Sequence, residues 1–104
     1  MPFDGVELDT TTLLLLALRD RLTSEYWRPC CLEPGADFDA GQGCLIQQLY
    51  HAAAPEHRIA PEYGAALERL MGAVGVRFAG DLGKFSDSHT LEEVQAVVDK
   101  AIGG

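Results

Sequence analysis

The sequence predicts an all-α fold: a compact bundle of four helices in a single domain spanning residues 1–104, with an ordered loop before the last helix. Three observations predict it. Apolar residues recur at spacings of three and four in four separate segments, the period of one helix face. Each segment opens at a residue suited to start a helix: Asp9 to Thr11, Asp39, Pro61 and Thr90. The stretches between them are too short and too broken by glycine to read as regular strands.

The first helix is expected to start at Asp9, Thr10 or Thr11 and to run to about Ser24 or Tyr26. Leu15, Leu18 and Leu22 lie about one turn apart on one face, while Leu13, Leu14 and Leu16 widen the apolar arc. Such a helix either sits centrally against several neighbours or leaves a face for a second subunit. Trp27 follows, and Pro29 ends any helix by removing a donor and restricting Arg28. Residues 29–39 read as an irregular loop punctuated by Pro34 and Gly35.

Asp39 is the expected cap of a second helix over residues 40–54, in spite of Gly41 and Gly43. Leu45, Leu49, Ala52 and Ala53 form its inner face, with Ile46 and Tyr50 alongside, and Pro55 stops it. Pro61 suits the first position of the third helix, whose core residues are Tyr63, Ala66, Leu67, Leu70, Met71 and Val74. Gly72 or Gly75 ends it. Residues 76–88 read as an ordered loop, or a short hairpin, pinned by Phe78, Leu82 and Phe85. Thr90 and Glu93 then make a capping box for the last helix. That helix buries Leu91, Val94, Val97, Val98, Ala101 and Ile102.

Composition limits what the chain does. With 47% apolar residues it builds a core without disulfides or metal. The 16 acidic against 8 basic side chains give a net charge of −8, opposed to gripping phosphate backbones or anionic lipid. Neither nucleic acid nor membrane is therefore expected as a partner. Residues 29–57 contain no Lys or Arg but hold Glu33, Asp37, Asp39 and Glu56. That stretch is either a solvated loop or an acidic surface for a basic partner. The 3 cysteines are an odd number, and Cys30 and Cys31 are adjacent, which strains a bridge. The start lacks a positive region and the run Leu13 to Leu18 is too short to cross a bilayer. Reduced thiols and a cytoplasmic location are the expectation.

Residues able to carry chemistry are present without convergent spacing. Cys30, Cys31, Cys44, His51, His57 and His89 invite a zinc reading. However, Cys44 and His51 lie about two turns apart on one helix, roughly 10 Å, too far for one ion. A Cys44 nucleophile paired with His51 or His89 needs an electropositive setting, whereas the neighbourhood is acidic and favours a packed thiol. Asp87, Ser88 and His89 are too close in sequence for a relay triad; Asp87 or Ser88 instead orders the approach to the last helix. No catalytic residue, metal ligand or cofactor is expected. Tyr26, Trp27 and Tyr50 are the best side chains for a binding surface, since such rings join an apolar body to a polar tip. The competing reading places Trp27 in the core beneath the 29–39 loop. Its indole N–H then meets a carbonyl or a carboxylate such as Asp87.

The order of landmarks is Trp27, then Gly41 and Cys44, then Tyr63, Ala66 and Leu67, then Asp87, Thr90, Glu93, Val94, Asp99 and Ala101. This resembles a family of small bacterial and phage proteins carrying a domain of unknown function. Members pair a Trp…G-x-x-C helix with a C-terminal Asp-containing helix start. The chain departs from that pattern at Gln47 and Gln48, where the family places Gly-Ala, and at Ser86, where Asn precedes Asp. The resemblance implies no reaction.

Two functions follow as expectations. One is a small acidic accessory or regulatory module, without catalysis, that binds a partner protein or forms a homodimer. The alternative is a small ligand-binding protein or enzyme with a pocket near Trp27, Cys44, Asp87 and His89.

Overall fold

Asp9 starts the first helix through its side chain. In the computed structural model, which describes residues 9–28 and 37–103, its carboxylate accepts the Thr12 amide at 2.7 Å. This satisfies one of the amides that a helix start leaves unpaired. Helix α1 spans Thr10–Asp20 and buries Thr12, Leu15 and Leu18. It ends short of the expected Ser24 or Tyr26, because Arg21 turns inward to bond residues across the core and the chain reverses by short turns at 21–26. Leu22 is buried all the same. Cys30, Cys31, Glu33, Pro34 and Gly35 of the expected loop lie outside the described residues.

The second helix starts later than its Asp39 cap implies. A short 3-10 turn occupies Phe38–Ala40, and α2 spans Leu45–Ala52. The physical reason is backbone sign: Gly41 and Gly43 hold φ of 86° and 154°, which no α-helix contains. A Cβ on Gly43 would also fall on the Gln47 side chain. Cys44 takes the cap position, and Gln47 returns its side-chain oxygen to the Cys44 amide at 3.1 Å.

After a second 3-10 turn at Pro55–His57, α3 spans Pro61–Val74. Pro61 sits in its first turn, and Gly75, with φ 92°, closes it. Residues 79–88 are not a loop or hairpin but helix α4, Ala79–Ser88, so the described residues form five α-helices where four were expected. Gly80 and Gly83 lower helix propensity enough to hide its period. Leu82 and Ser86, one turn apart and both fully buried, fix it by packing instead. Helix α5 spans Leu91–Gly103. Its capping box is closed in both directions: Thr90 N donates to Glu93 Oε1 at 2.8 Å, and Glu93 N donates to Thr90 Oγ1 at 3.2 Å.

Helix α1 is central, packing on α2, α3 and α5, while α4 bridges α2 and α3. The core joins Leu15, Leu18 and Leu22 to Leu45, Leu49, Leu70, Leu82, Val94 and Val98. Arg69 of α3 laces three helices together. It donates to Thr12 Oγ1 at 2.9 Å and to the Ala101 and Ile102 carbonyls at 2.6 and 3.1 Å. No described helix is long and apolar enough to cross a membrane.

Two expected outcomes test this fold. A Cβ at Gly83 meets nothing within 4 Å, so Gly83→Ala stabilises the protein by about 0.5–1 kcal/mol in urea titration. A loop at 76–88 would give no such gain. The second outcome concerns acid. The Thr12 amide holds the Asp9 carboxyl below its usual pKa, and the Thr90 amide does the same for Glu93. Depressed carboxyl pKa values add stability above about pH 4 that fades as pH falls through the folded-state values. Melting temperature therefore drops on acidification, and drops less steeply in Asp9→Asn/Glu93→Gln, whose amide side chains retain the cap oxygens.

Candidate functional site

Two features stand apart from ordinary core packing: a buried polar knot beside Trp27, and an apolar face of α1 with a groove along it. The knot centres on Gln48, which is fully buried on α2. Its oxygen accepts Arg21 Nε at 2.9 Å. Its amide nitrogen donates to the carbonyls of Tyr26, Gly41 and Gly43 at 2.9, 2.9 and 3.1 Å. Arg21 also donates to Gly41 O at 3.1 Å and lies 4.4 Å from the Tyr26 ring centroid. Backbone pairing completes the clasp: Gly43 N donates to Tyr26 O at 3.0 Å, and Arg28 N to Gly43 O at 2.8 Å. Residues 26–28 and 41–43 are thus fixed to one another and to Arg21 and α2.

Trp27 is buried, and its indole N–H donates to Ser86 Oγ at 3.1 Å rather than to Asp87. The helical form of residues 79–88 explains the one-residue difference, turning Ser86 inward and Asp87 to solvent. Ser86 Oγ also accepts the Leu45 amide at 3.2 Å, one of the unpaired amides at the start of α2. One hydroxyl therefore joins the Trp27 loop, α2 and α4.

The remaining candidates are scattered. Tyr26 is half-buried under Arg21, Cys44 is buried, and Tyr50 is exposed beneath Arg58, whose guanidinium lies 3.6 Å from the ring centroid. His89 stacks on Phe85 with centroids 3.9 Å apart. Its Nδ1 lies 2.7 Å from Phe85 O, an atom that only accepts, so Nδ1 carries the proton. Ser88 donates to the Lys84 and Phe85 carbonyls at 3.0 and 3.2 Å, so it finishes α4 instead of preparing α5. No hydrogen bond joins Asp87 to His89 among the described residues, and no relay forms. Among the described residues, no group of three His, Cys, Asp or Glu side chains is placed to hold a metal ion.

The second feature lies on α1. Leu13 and Leu16 remain 50% and 36% exposed, although Thr12, Leu15 and Leu18 of the same helix are buried. Beside them runs an open groove of about 270 Å³ between α1 and the end of α2. Leu13, Leu14 and Ala17 form one wall, and Ala52, Ala53 and Ala54 the other. A second concavity, about 250 Å³, lies between α3 and α5 at Arg69, Gly72, Ala73, Lys100 and Ala101. Neither is lined by Trp27, Cys44, Asp87 or His89.

Sequence reasoning treated Gln48 only as a departure from a small residue and missed its role. A buried polar side chain is legible only with its partners, and those lie at Arg21, Tyr26, Gly41 and Gly43. The leftover face of α1, in contrast, was signalled by the excess of leucines over one stripe. No protein-family model matches the chain, and neither a curated protein nor a solved structure matches it.

Proposed function

We propose that this chain is a small acidic protein-interaction module of accessory or regulatory kind, acting without catalysis. The resemblance noted above suggests a bacterial or phage setting, and the odd number of cysteines suits the cytoplasm. One observation carries the reading: α1 is fully engaged on its inner side yet presents Leu13 and Leu16 to solvent beside an apolar groove. Burying a half-exposed leucine contributes about 1 kcal/mol, so the pair and the groove together form an anchor of useful strength. The charge of −8 directs the choice of partner toward protein rather than nucleic acid or anionic membrane.

The test is affinity capture with the wild-type chain and with Leu13→Asp/Leu16→Asp. Both substituted positions are exposed, so the variant folds, which circular dichroism checks. The expected result is a protein retained by the wild type and lost by the variant. Equal retention by both would remove the α1 face from the reading. Sedimentation addresses the homodimer version: a concentration-dependent mass abolished by the same substitutions makes the second copy the partner.

A further inference from the structure

The groove beside α1 joins small apolar walls to a polar rim. Ala17, Ala52, Ala53 and Ala54 carry nothing beyond a methyl group, so a partner backbone can approach closely. The lined part of α1, residues 10–17, covers about two turns, roughly 10 Å. That length matches two or three apolar anchors of an amphipathic helix, the spacing used in helix-in-groove recognition.

The polar lining consists of Thr10, His57 and the carboxylate of Glu62, and Glu56 stands exposed immediately before His57 in the chain. No described basic side chain lies within ion-pair distance of either carboxylate. Arg58, within the 52–62 segment, and Arg69 are engaged by other groups. Arg58 lies on the Tyr50 ring and donates to Tyr50 O at 2.9 Å. Arg69 is engaged by Thr12, Ala101 and Ile102, and lies 4.0 Å from Asp9. A second copy would bring another −8 charge to this rim, which opposes self-association there.

We infer that the groove between α1 and the 52–62 segment receives an amphipathic helix of a partner protein, with apolar anchors flanked by Lys or Arg. This rests on the interaction reading above and specifies its partner's chemistry. The alanine walls take the anchors, and Glu62 with the neighbouring Glu56 meets the flanking cations. Because these carboxylates are solvent-accessible, their contribution favours selectivity and association rate, and salt weakens it.

The test uses the full chain, isotope-labelled for NMR, and two synthetic helical peptides. They share one Ala/Leu face and differ only in flanking Lys or flanking Glu. With the Lys peptide, saturable shifts are expected at residues 10–17 and 52–62, with affinity falling as salt rises. The Glu peptide binds at least about tenfold more weakly. Glu56→Lys/Glu62→Lys removes that preference, whereas Leu13→Ser weakens both peptides. Equal binding of the two peptides would overturn the inference. So would shifts spread over distant acids such as Asp87 and Asp99, or groove shifts that follow protein concentration alone and mark a second copy. If these titrations fail while Leu13→Asp/Leu16→Asp still loses the captured protein, the helix-in-groove inference falls and the interaction reading stands. If capture is also indifferent to those substitutions, both fall.

Discussion

Gln48→Ala is expected to lower the unfolding free energy by about 3 kcal/mol, more than any surface substitution in this chain. The side chain is fully buried and makes four hydrogen bonds that tie α2 to Arg21, Tyr26, Gly41 and Gly43. Each carbonyl it serves keeps one other partner: Tyr26 O has Gly43 N, Gly41 O has Arg21, and Gly43 O has Arg28 N. The loss is therefore less than complete orphaning of three carbonyls, but Arg21 Nε loses its acceptor. Gln48→Glu separates hydrogen bonding from packing. It keeps the volume and the Arg21 contact, yet turns a donating amide into a carboxylate oxygen facing three carbonyls. Urea titration should find it destabilised by about 2 kcal/mol or more, although its shape is nearly unchanged. A Gln48→Glu variant as stable as wild type would show that the clasp is a matter of filling space.

Trp27→Ala carries the other large effect, about 4 kcal/mol, from loss of the buried ring and of its bond to Ser86. Ser86→Ala should cost about 2 kcal/mol, because it strands both the indole N–H and the Leu45 amide in the core. The pair is coupled through one hydroxyl. Trp27→Phe/Ser86→Ala should therefore cost less than Trp27→Phe and Ser86→Ala added together, by about 1 kcal/mol. Circular dichroism is the suitable readout, since Trp27 is the chain's one tryptophan and its removal abolishes that fluorescence signal. Strict additivity would mean that Trp27 and Ser86 are not bonded in solution.

These residues show why some of the fold was readable in sequence and some was not. Local chemistry carries α1, α3 and α5: Asp9, Pro61 with Gly75, and Thr90 with Glu93 announce ends within a few residues of where they lie. Helix α4 was hidden because Gly80 and Gly83 argue locally against a helix that Leu82 and Ser86 hold by distant packing. The start of α2 was misplaced because Asp39 looks like a cap, while the positive φ of Gly41 and Gly43 becomes evident only once Gln48 collects their carbonyls. For the site, the burial of Trp27 was anticipated and its partner was one residue off. The surplus leucines of α1 marked a face to be covered, but the alanine groove beside it needs the end of α2 brought against α1.

Amide hydrogen exchange on the chain, alone and with the protein captured by wild type but not by Leu13→Asp/Leu16→Asp, tests the central claim most directly. The account predicts slower exchange on binding at residues 10–17 and 52–62, with residues 84–90 around His89 unchanged. Slowing confined to residues 84–90 and the vicinity of Trp27 would contradict it and locate the working surface at the opposite features of the fold.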